Sequence, residues 1–157
     1  MADVLIALGG NVGDVRATFG KAISNICGMT QAALLARSSD YATPPWGEED
    51  QAPFTNACIE IETSLDPHAL LFTLHKIEKK FGRDRAQETR WGPRTLDLDL
   101  IAYNDVRLDK PELTLPPGVA VPAAAVQGLA RHNVCEFTRW GEFLPRIYRE
   151  FGHSMVC

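Results

Sequence analysis

Residues 90–101 read RWGPRTLDLDLI, and the second half of this stretch begins a strand that we predict over residues 95–103. Leucine and aspartate alternate from Leu96 to Leu100, so one face of the strand is apolar and the other carries Asp97 and Asp99. This period of two is typical of a strand with one buried face. The stretch therefore predicts a sheet that packs a core on one side and presents paired carboxylates on the other.

The spacing of the two aspartates is suited to magnesium. Side chains at i and i+2 of a strand project from the same face, roughly 6.5 to 7 Å apart at the backbone. Magnesium prefers oxygen ligands, and two bridged ions can hold both the attacking and the leaving oxygen of a phosphoryl displacement. An isolated D-x-D is more often part of the solvent-exposed face of an amphipathic strand. The surrounding residues must decide between these interpretations.

Four arginines lie just before the aspartates. They are Arg83, Arg85, Arg90 and Arg94, and the intervening Gly92-Pro93 excludes one continuous helix that presents them all. Guanidinium groups offer paired donors that match phosphate oxygens. Any one of these arginines could simply be solvated, but four beside a D-x-D favour a site for a triphosphate with its metal ions.

The rest of the chain to residue 103 predicts two helices and three more strands. No regular β-α-β repeat or Rossmann glycine fingerprint occurs, which favours an α+β sheet over a doubly wound one. The predicted elements are a strand at 4–8, a helix from Asp14 to Gly28, a strand at 33–41, a rigid proline loop at 43–47, a strand at 56–62 and a helix from Asp66 to Gly82.

Composition and charge exclude several classes of protein. With 157 residues, 45% hydrophobic and 23% charged, the chain has the length and composition of one soluble globular domain. A net charge of −4 argues against nucleic-acid binding, and no run of about 20 apolar residues predicts a membrane span. The four cysteines show no C-x-x-C pair. We expect reduced thiols in a cytoplasmic protein and no membrane partner.

The stretch from Arg90 to Ile101 resembles the signature of the 6-hydroxymethyl-7,8-dihydropterin pyrophosphokinase family at every defining position. The resemblance extends to other segments and covers residues 3–116 without large gaps. These segments are ALGGN at 7–11, YATPPWG at 41–47, PFTNA at 53–57 and HKIEKKFGRDR at 75–85. The resemblance implies an α+β fold, a ferredoxin-like three-layer sandwich with a mainly antiparallel central sheet and helices on its faces.

The resemblance also implies an activity, the transfer of a diphosphate from Mg-ATP to the hydroxymethyl group of the pterin, with release of AMP, in folate biosynthesis. Asp97 and Asp99 would ligate two magnesium ions, and Arg83 and Arg94 would bind the transferred phosphates as catalytic residues. Further ATP contacts would come from Arg85 and Trp91, which match residues of a lid, and from His75. The small-molecule substrates would be the only partners, and the protein would be a monomer.

Pterin recognition is implied for residues of the proline loop and of the following strand. The residues are Thr43, Pro44, Pro45, Trp46, Phe54 and Asn56. An amide such as that of Asn56 can pair with the pterin edge, and the ring of Phe54 can cover its face. Each has an ordinary alternative as a strand cap, a stiff turn or core. His75 is at least as compatible with an exposed surface position, and we expect Glu78 to be a solvated helix residue with at most a supporting polar role.

After Pro116 the sequence departs from the family pattern. Pro117 stands where the family has histidine, and the next arginine is Arg131. The expected histidine and arginine help to hold ATP, and an expected phenylalanine completes the pterin sandwich. We expect a single domain over 1–157, with a family-like part at 1–116 and a divergent, frameshifted or poorly ordered tail at 117–157.

Two other functions remain open from the sequence. A catalytically impaired remnant would bind pterin or nucleotide without releasing AMP. An unrelated interaction module would bind ATP equally well after Asp97 and Asp99 were replaced by alanine.

Overall fold

A computed structural model describes residues 1–45, 49–84, 86–88, 92–104, 106, 108–110 and 113–115. Within them, the chain forms seven strands and two helices. In chain order these are β1 (Ala2–Gly10), α1 (Val15–Thr30), β2 (Ala33–Arg37), β3 (Tyr41–Thr43), β4 (Phe54–Thr63), α2 (Pro67–Lys80), β5 (Asp97–Tyr103), β6 (Leu108–Lys110) and β7 (Leu113–Leu115).

Five strands form one antiparallel sheet. Its order is β2-β4-β1-β5, with β3 also paired to β4 beyond the end of β2. The register aligns Ile6 with Ile59 of β4 on one side and with Leu100 of β5 on the other. A separate two-stranded ribbon joins β6 to β7. This arrangement confirms the ferredoxin-like α+β fold with a mainly antiparallel sheet.

Both helices pack on the same face of the sheet, because side chains of both belong to one core cluster. The strands contribute alternate residues to it, and the helices contribute their apolar stripes. The cluster includes Val4, Ile6 and Leu8 of β1, Ala57, Ile59 and Ile61 of β4, Leu98 and Leu100 of β5, Phe19 and Ile26 of α1, and Leu70, Leu74 and Ile77 of α2. Burial of these side chains is the main force that fixes the sheet against the helices.

The second helix begins and ends as its sequence predicts. Asp66 accepts hydrogen bonds from the backbone N–H groups of His68 and Ala69, and Pro67 occupies the first helical position. Gly82 follows with a φ of +89°, a conformation that glycine adopts readily. The first helix runs past Gly28 instead of stopping there, and it ends at Thr30, followed by a C-cap at Gln31 in the left-handed conformation.

The segment predicted as one strand at 33–41 is two short strands. Ser38 interrupts it: its backbone N–H donates to the carbonyl of Cys58, while its hydroxyl, in place of a carbonyl, accepts the N–H of Cys58 at 2.9 Å. Beyond this point, Asp40 forms an ion pair with Arg37 at 3.0 Å. Regular pairing with β4 therefore stops at Arg37 and begins again at Tyr41.

No helix among the described residues has the length and apolarity needed to cross a bilayer.

Candidate active site

The face of the sheet opposite the helices carries both aspartates. Asp97 and Asp99 flank Leu98, which lies in the core on the helix side, so their side chains point to the other face. Asp97 is 6% exposed and Asp99 is half-buried. The prediction that both carboxylates share one face of a strand is confirmed in its geometry.

Two arginines bind the carboxylate of Asp97. Arg83 Nη1 donates to Oδ1, and Arg94 Nη1 donates to Oδ2 at 2.7 Å. Burial by itself raises the pKa of Asp97, but the charges of Arg83 and Arg94 outweigh it and hold that pKa below its ordinary value. Asp97 is therefore ionised, and both of its oxygens are engaged by cations.

Arg83 lies among three carboxylates. Besides Asp97 it contacts Glu78 through Nη1 at 2.5 Å, and Glu88 through Nε at 2.5 Å and Nη2 at 3.1 Å. Its side chain is only 5% exposed. Burial lowers the pKa of the guanidinium, but the hydrogen bond to Glu88 and the charges of Asp97 and Glu78 raise it above its ordinary value. Arg83 is thus a buried, permanently charged group beside the paired aspartates.

Glu78 is a site residue whose role the sequence did not reveal. It lies two residues before the end of α2, and the sequence predicted a solvated helix residue there, which is wrong because α2 packs this side chain against β5. In the structure it is 1% exposed and its Oε1 accepts from both Arg83 Nη1 and the backbone N–H of Leu98. Leu98 stands between the two aspartates, so Glu78 ties Arg83 directly to the strand that carries them.

Asn11 and Gly10 fix the segment that carries Arg94. The side-chain oxygen of Asn11 accepts the backbone N–H of Arg94 at 2.8 Å, and its amide donates to Gln51 and to the carbonyl of Ala52. A Cβ at Gly10 would lie 2.7 Å from the carbonyl oxygen of Thr95, which explains the need for glycine. The GGN motif at the end of β1 was the available signal for this role.

The residues predicted to bind pterin lie at the adjoining end of the same face. Asn56 is 1% exposed and donates to Thr43 Oγ1 at 2.8 Å, and Phe54, paired with Thr43 in the register, is 4% exposed. Pro44 is exposed and Pro45 is half-buried. The fold therefore brings the proline loop and the start of β4 together.

A glycine separates this polar pair from the aspartates. Gly9 is paired with Asn56 on one side and with Asp97 on the other, so the three residues form a row across the sheet. A Cβ at Gly9 would lie 3.4 Å from Asn56 Oδ1 and 3.8 Å from Asp97 Cβ. The absence of a side chain here leaves room between an amide and the paired carboxylates.

His75 lies on α2 beside a cavity of about 510 Å³ that also contacts Glu78 and Arg83. A volume in this range is typical of small-molecule sites. The cavity therefore brings His75 within the same region as the buried guanidinium.

The donor set of the paired aspartates fits magnesium that arrives with a nucleotide. Among the residues that the structure describes, no group of three or more His, Cys, Asp or Glu side chains could enclose a metal ion. Magnesium is commonly held by one or two carboxylates, with water and phosphate oxygens as the remaining ligands. Two carboxylates on one face, with arginines beside them, suit that pattern.

Several predicted site residues fall outside the described part of the chain. They are Trp46 of the proline loop, Arg85 and Trp91 of the arginine segment, and the whole of the predicted tail at 117–157. Their assigned roles stay predictions.

The sequence of this chain is similar to those of known pyrophosphokinases. Residues 5–128 match the model of the 7,8-dihydro-6-hydroxymethylpterin-pyrophosphokinase family, and this match runs past Pro116, where the sequence pattern departs. Two similar relatives are the 2-amino-4-hydroxy-6-hydroxymethyldihydropteridine pyrophosphokinases of Methylorubrum extorquens, 41% identical over 116 residues, and of Bacillus subtilis, 41% identical over 111 residues. These alignments cover 74% and 71% of this chain, and 72% and 65% of the two relatives.

A third relative with the same name, from Synechocystis, is 40% identical over 129 residues, which are 78% of this chain and 65% of that protein. The chain thus spans about two thirds of the length of the relatives that it matches.

Proposed function

This chain belongs to the 7,8-dihydro-6-hydroxymethylpterin-pyrophosphokinase family, and we propose that it transfers a diphosphate from ATP to the hydroxymethyl group of 6-hydroxymethyl-7,8-dihydropterin. The pterin hydroxyl oxygen bonds to the β-phosphorus of ATP and loses its proton. The bond from that phosphorus to the oxygen bridging to the α-phosphate breaks, and AMP leaves. The product is the pterin diphosphate required for folate biosynthesis.

The observation that carries this proposal is the row formed by Asn56, Gly9 and Asp97. It joins a buried amide that can pair with a heterocycle to a carboxylate that can hold a metal, with only a glycine, which has no side chain, between them. A pterin whose ring lay against Asn56 would direct its hydroxymethyl group toward Asp97. Such an arrangement places the two reactants without a covalent enzyme intermediate.

Arg83 and Arg94 are the residues that we assign to the phosphates. Both already bind an anionic oxygen, and their guanidinium groups are largely withdrawn from solvent, which strengthens charge stabilisation. Two magnesium ions held by Asp97 and Asp99 would neutralise the triphosphate and the developing charge. His75 and, outside the described residues, Arg85 and Trp91 would complete the nucleotide side.

The pterin side would consist of the backbone of the proline loop, the amide of Asn56 and the ring of Phe54. Thr43 supports this assignment, because its hydroxyl accepts a hydrogen bond from the Asn56 amide nitrogen. This contact fixes the amide orientation and leaves its oxygen on the side of Gly9. Pro44, Pro45 and Trp46 would form the wall of the pocket. An amide held in one orientation distinguishes donors from acceptors on a heterocycle edge.

The proposal includes a monomer that acts in the cytoplasm on small molecules, without nucleic-acid or membrane partners. Its stoichiometry is measurable: isothermal titration in the presence of a non-hydrolysable ATP should show two magnesium ions per chain. Sedimentation analysis should show a single species with the mass of one chain. A stoichiometry of one metal would contradict the role given to Asp99.

The deciding experiment measures AMP release from ATP with 6-hydroxymethyl-7,8-dihydropterin and magnesium. The double variant Asp97→Ala, Asp99→Ala should lose at least about a thousandfold in rate, as expected when metal-assisted phosphoryl transfer is removed. Glu60 and Glu62 of β4 offer a matched control, since they have the same i, i+2 spacing on another strand of the same sheet.

The control variant Glu60→Ala, Glu62→Ala should retain activity within about twofold of the unsubstituted chain. Equal activity of the aspartate double variant and the unsubstituted chain would overturn the proposed site. ATP binding without any AMP release by the unsubstituted chain would instead indicate a binding protein.

A further inference from the structure

The guanidinium of Arg83 has no edge left for a phosphate in this structure. Arginine has five N–H donors, and four of them bond to carboxylates here: Nε and Nη2 to Glu88, and both hydrogens of Nη1 to Glu78 and Asp97. Phosphate is recognised best through two parallel N–H groups on one edge. One of the three carboxylates must therefore leave before Arg83 can bind a phosphate in this manner.

Glu88 is the carboxylate placed to leave. Its two oxygens bond Nε and Nη2 separately, which is the paired geometry that a phosphate would adopt on the same edge. Its side chain is 22% exposed, compared with 1% for Glu78 and 9% for Asp97. Because Glu88 is the most exposed of the three, moving it away from Arg83 breaks fewer buried contacts than moving Glu78 or Asp97.

The other two carboxylates are fixed by the fold. Glu78 extends from α2 and also accepts the backbone N–H of Leu98, so its removal would break the link between α2 and β5. Asp97 is part of β5 and also holds Arg94. Its transfer to magnesium under the proposed function would free Nη1 alone, whereas Glu88 covers the paired edge of Nε and Nη2. Glu88 belongs to neither element and lies five residues after Arg83 in the segment that joins α2 to β5.

We propose that Glu88 is an internal competitor of the substrate phosphates, whose carboxylate occupies the phosphate-binding edge of Arg83 until ATP displaces it. This inference rests on the proposed function, in which Arg83 binds the transferred phosphates. Glu88 would lower the affinity for ATP and would weaken the binding of anions with too little charge to displace it. It would also keep Arg83 compensated and in place in the empty enzyme.

The test compares binding of Mg-ATP and of inorganic tripolyphosphate to the intact chain and to Glu88→Gln by isothermal titration without pterin. The amide keeps the size of the side chain but removes its charge, so the Arg83 edge is held less strongly. We expect Glu88→Gln to bind both ligands about tenfold more tightly, which corresponds to ~1.4 kcal/mol.

The matched control is Glu62→Gln, the same substitution on β4. Glu62 lies six residues along the strand from Asn56, or about 20 Å from that residue, and the substitution should leave both affinities unchanged within about twofold. Glu88→Asp provides a second variant that keeps the charge but retracts it by one methylene. It should tighten binding by an intermediate amount.

The outcomes separate this inference from the proposed function. ATP binding that is unchanged or weaker in Glu88→Gln would overturn the competitor role and make Glu88 a support for Arg83, while the proposed function would stand. Failure of the unsubstituted chain and of all variants to bind either ligand would overturn both. Tighter binding in Glu88→Gln and Glu62→Gln alike would show a general charge effect and would also overturn the inference.

Discussion

Glu78 Oε1 accepts the backbone N–H of Leu98 at 2.7 Å, so a side chain from α2 bonds the strand residue between the two aspartates. The same oxygen accepts from Arg83. One buried carboxylate thereby holds the helix, the guanidinium and the strand that carries the paired aspartates in a single arrangement. Its charge is offset by Arg83, so the cost of burying it is met within the site.

We expect Glu78→Ala to destabilise the protein by about 3 kcal/mol, since it leaves a buried arginine with one fewer carboxylate and a backbone N–H without its acceptor. Urea unfolding followed by circular dichroism measures this change. Glu49→Ala, at an exposed position, should change the free energy of unfolding by less than about 0.5 kcal/mol. A loss below about 1 kcal/mol for Glu78→Ala would contradict the structural role given to this carboxylate.

Gly9 and Gly10 should respond differently to alanine. A methyl group at Gly9 makes only ordinary contacts but fills the space between Asn56 and Asp97. We therefore expect Gly9→Ala to fold normally and to bind 6-hydroxymethyl-7,8-dihydropterin about tenfold more weakly.

Gly10→Ala brings Cβ to 2.7 Å from the Thr95 carbonyl oxygen, so it should instead cost about 1 to 3 kcal/mol of stability. Thermal unfolding and pterin titration on both variants test the pair. If Gly9→Ala retained full pterin affinity, the space beside Gly9 would not be the pterin site.

Arg94→Gln should move acid unfolding to higher pH. The folded-state pKa of Asp97 lies below its ordinary value of 3.8 because of Arg83 and Arg94. The ion pairs therefore contribute stability above the unfolded-state pKa, and this contribution is lost as the pH falls through the folded-state pKa. Removal of Arg94 raises the folded-state pKa of Asp97, so the pH range over which its ion pairs stabilise the fold becomes narrower. The free energy of unfolding at neutral pH should fall by about 1.5 kcal/mol.

Arg37→Gln is a matched control for Arg94→Gln, because Arg37 pairs with Asp40 at the same i, i+3 spacing but is 39% exposed. Its effect on stability should stay within about 0.5 kcal/mol. Intrinsic fluorescence followed during acid titration measures both midpoints. Equal midpoints for Arg94→Gln and the unsubstituted chain would show that Arg94 does not stabilise the Asp97 carboxylate.

Cys58 should resist alkylation in the folded protein. Its side chain is completely buried, and burial raises the pKa of the thiol to about 12. At about pH 8 roughly one thiol in ten thousand would be ionised, and the thiolate is the reactive form.

Iodoacetamide followed by peptide mass spectrometry should therefore label Cys27, which is half-buried, well before Cys58. In urea the two should react at similar rates. Rapid labelling of Cys58 without denaturant would show that the sheet around β4 opens readily in the folded protein.

The sequence by itself determined the elements whose pattern is local. Alternation placed Asp97 and Asp99 on one face of β5, and Asp66, Pro67 and Gly82 set the limits of α2, because strand and helix periods follow from backbone geometry alone. The same local signals failed at Ser38, where a hydroxyl replaced a backbone acceptor only because β4 lay alongside.

The tertiary structure decided which distant residues share the site. Asn56, Gly9 and Asp97 become neighbours through antiparallel register, and no local pattern encodes the pairing of residues so far apart in the chain. Likewise Glu78 is compatible with solvent on its own helix. Docking of α2 against β5 buries Glu78 and gives it Arg83 and the Leu98 amide as partners. Glu78 thereby connects the helix and Arg83 to the strand that carries the aspartates.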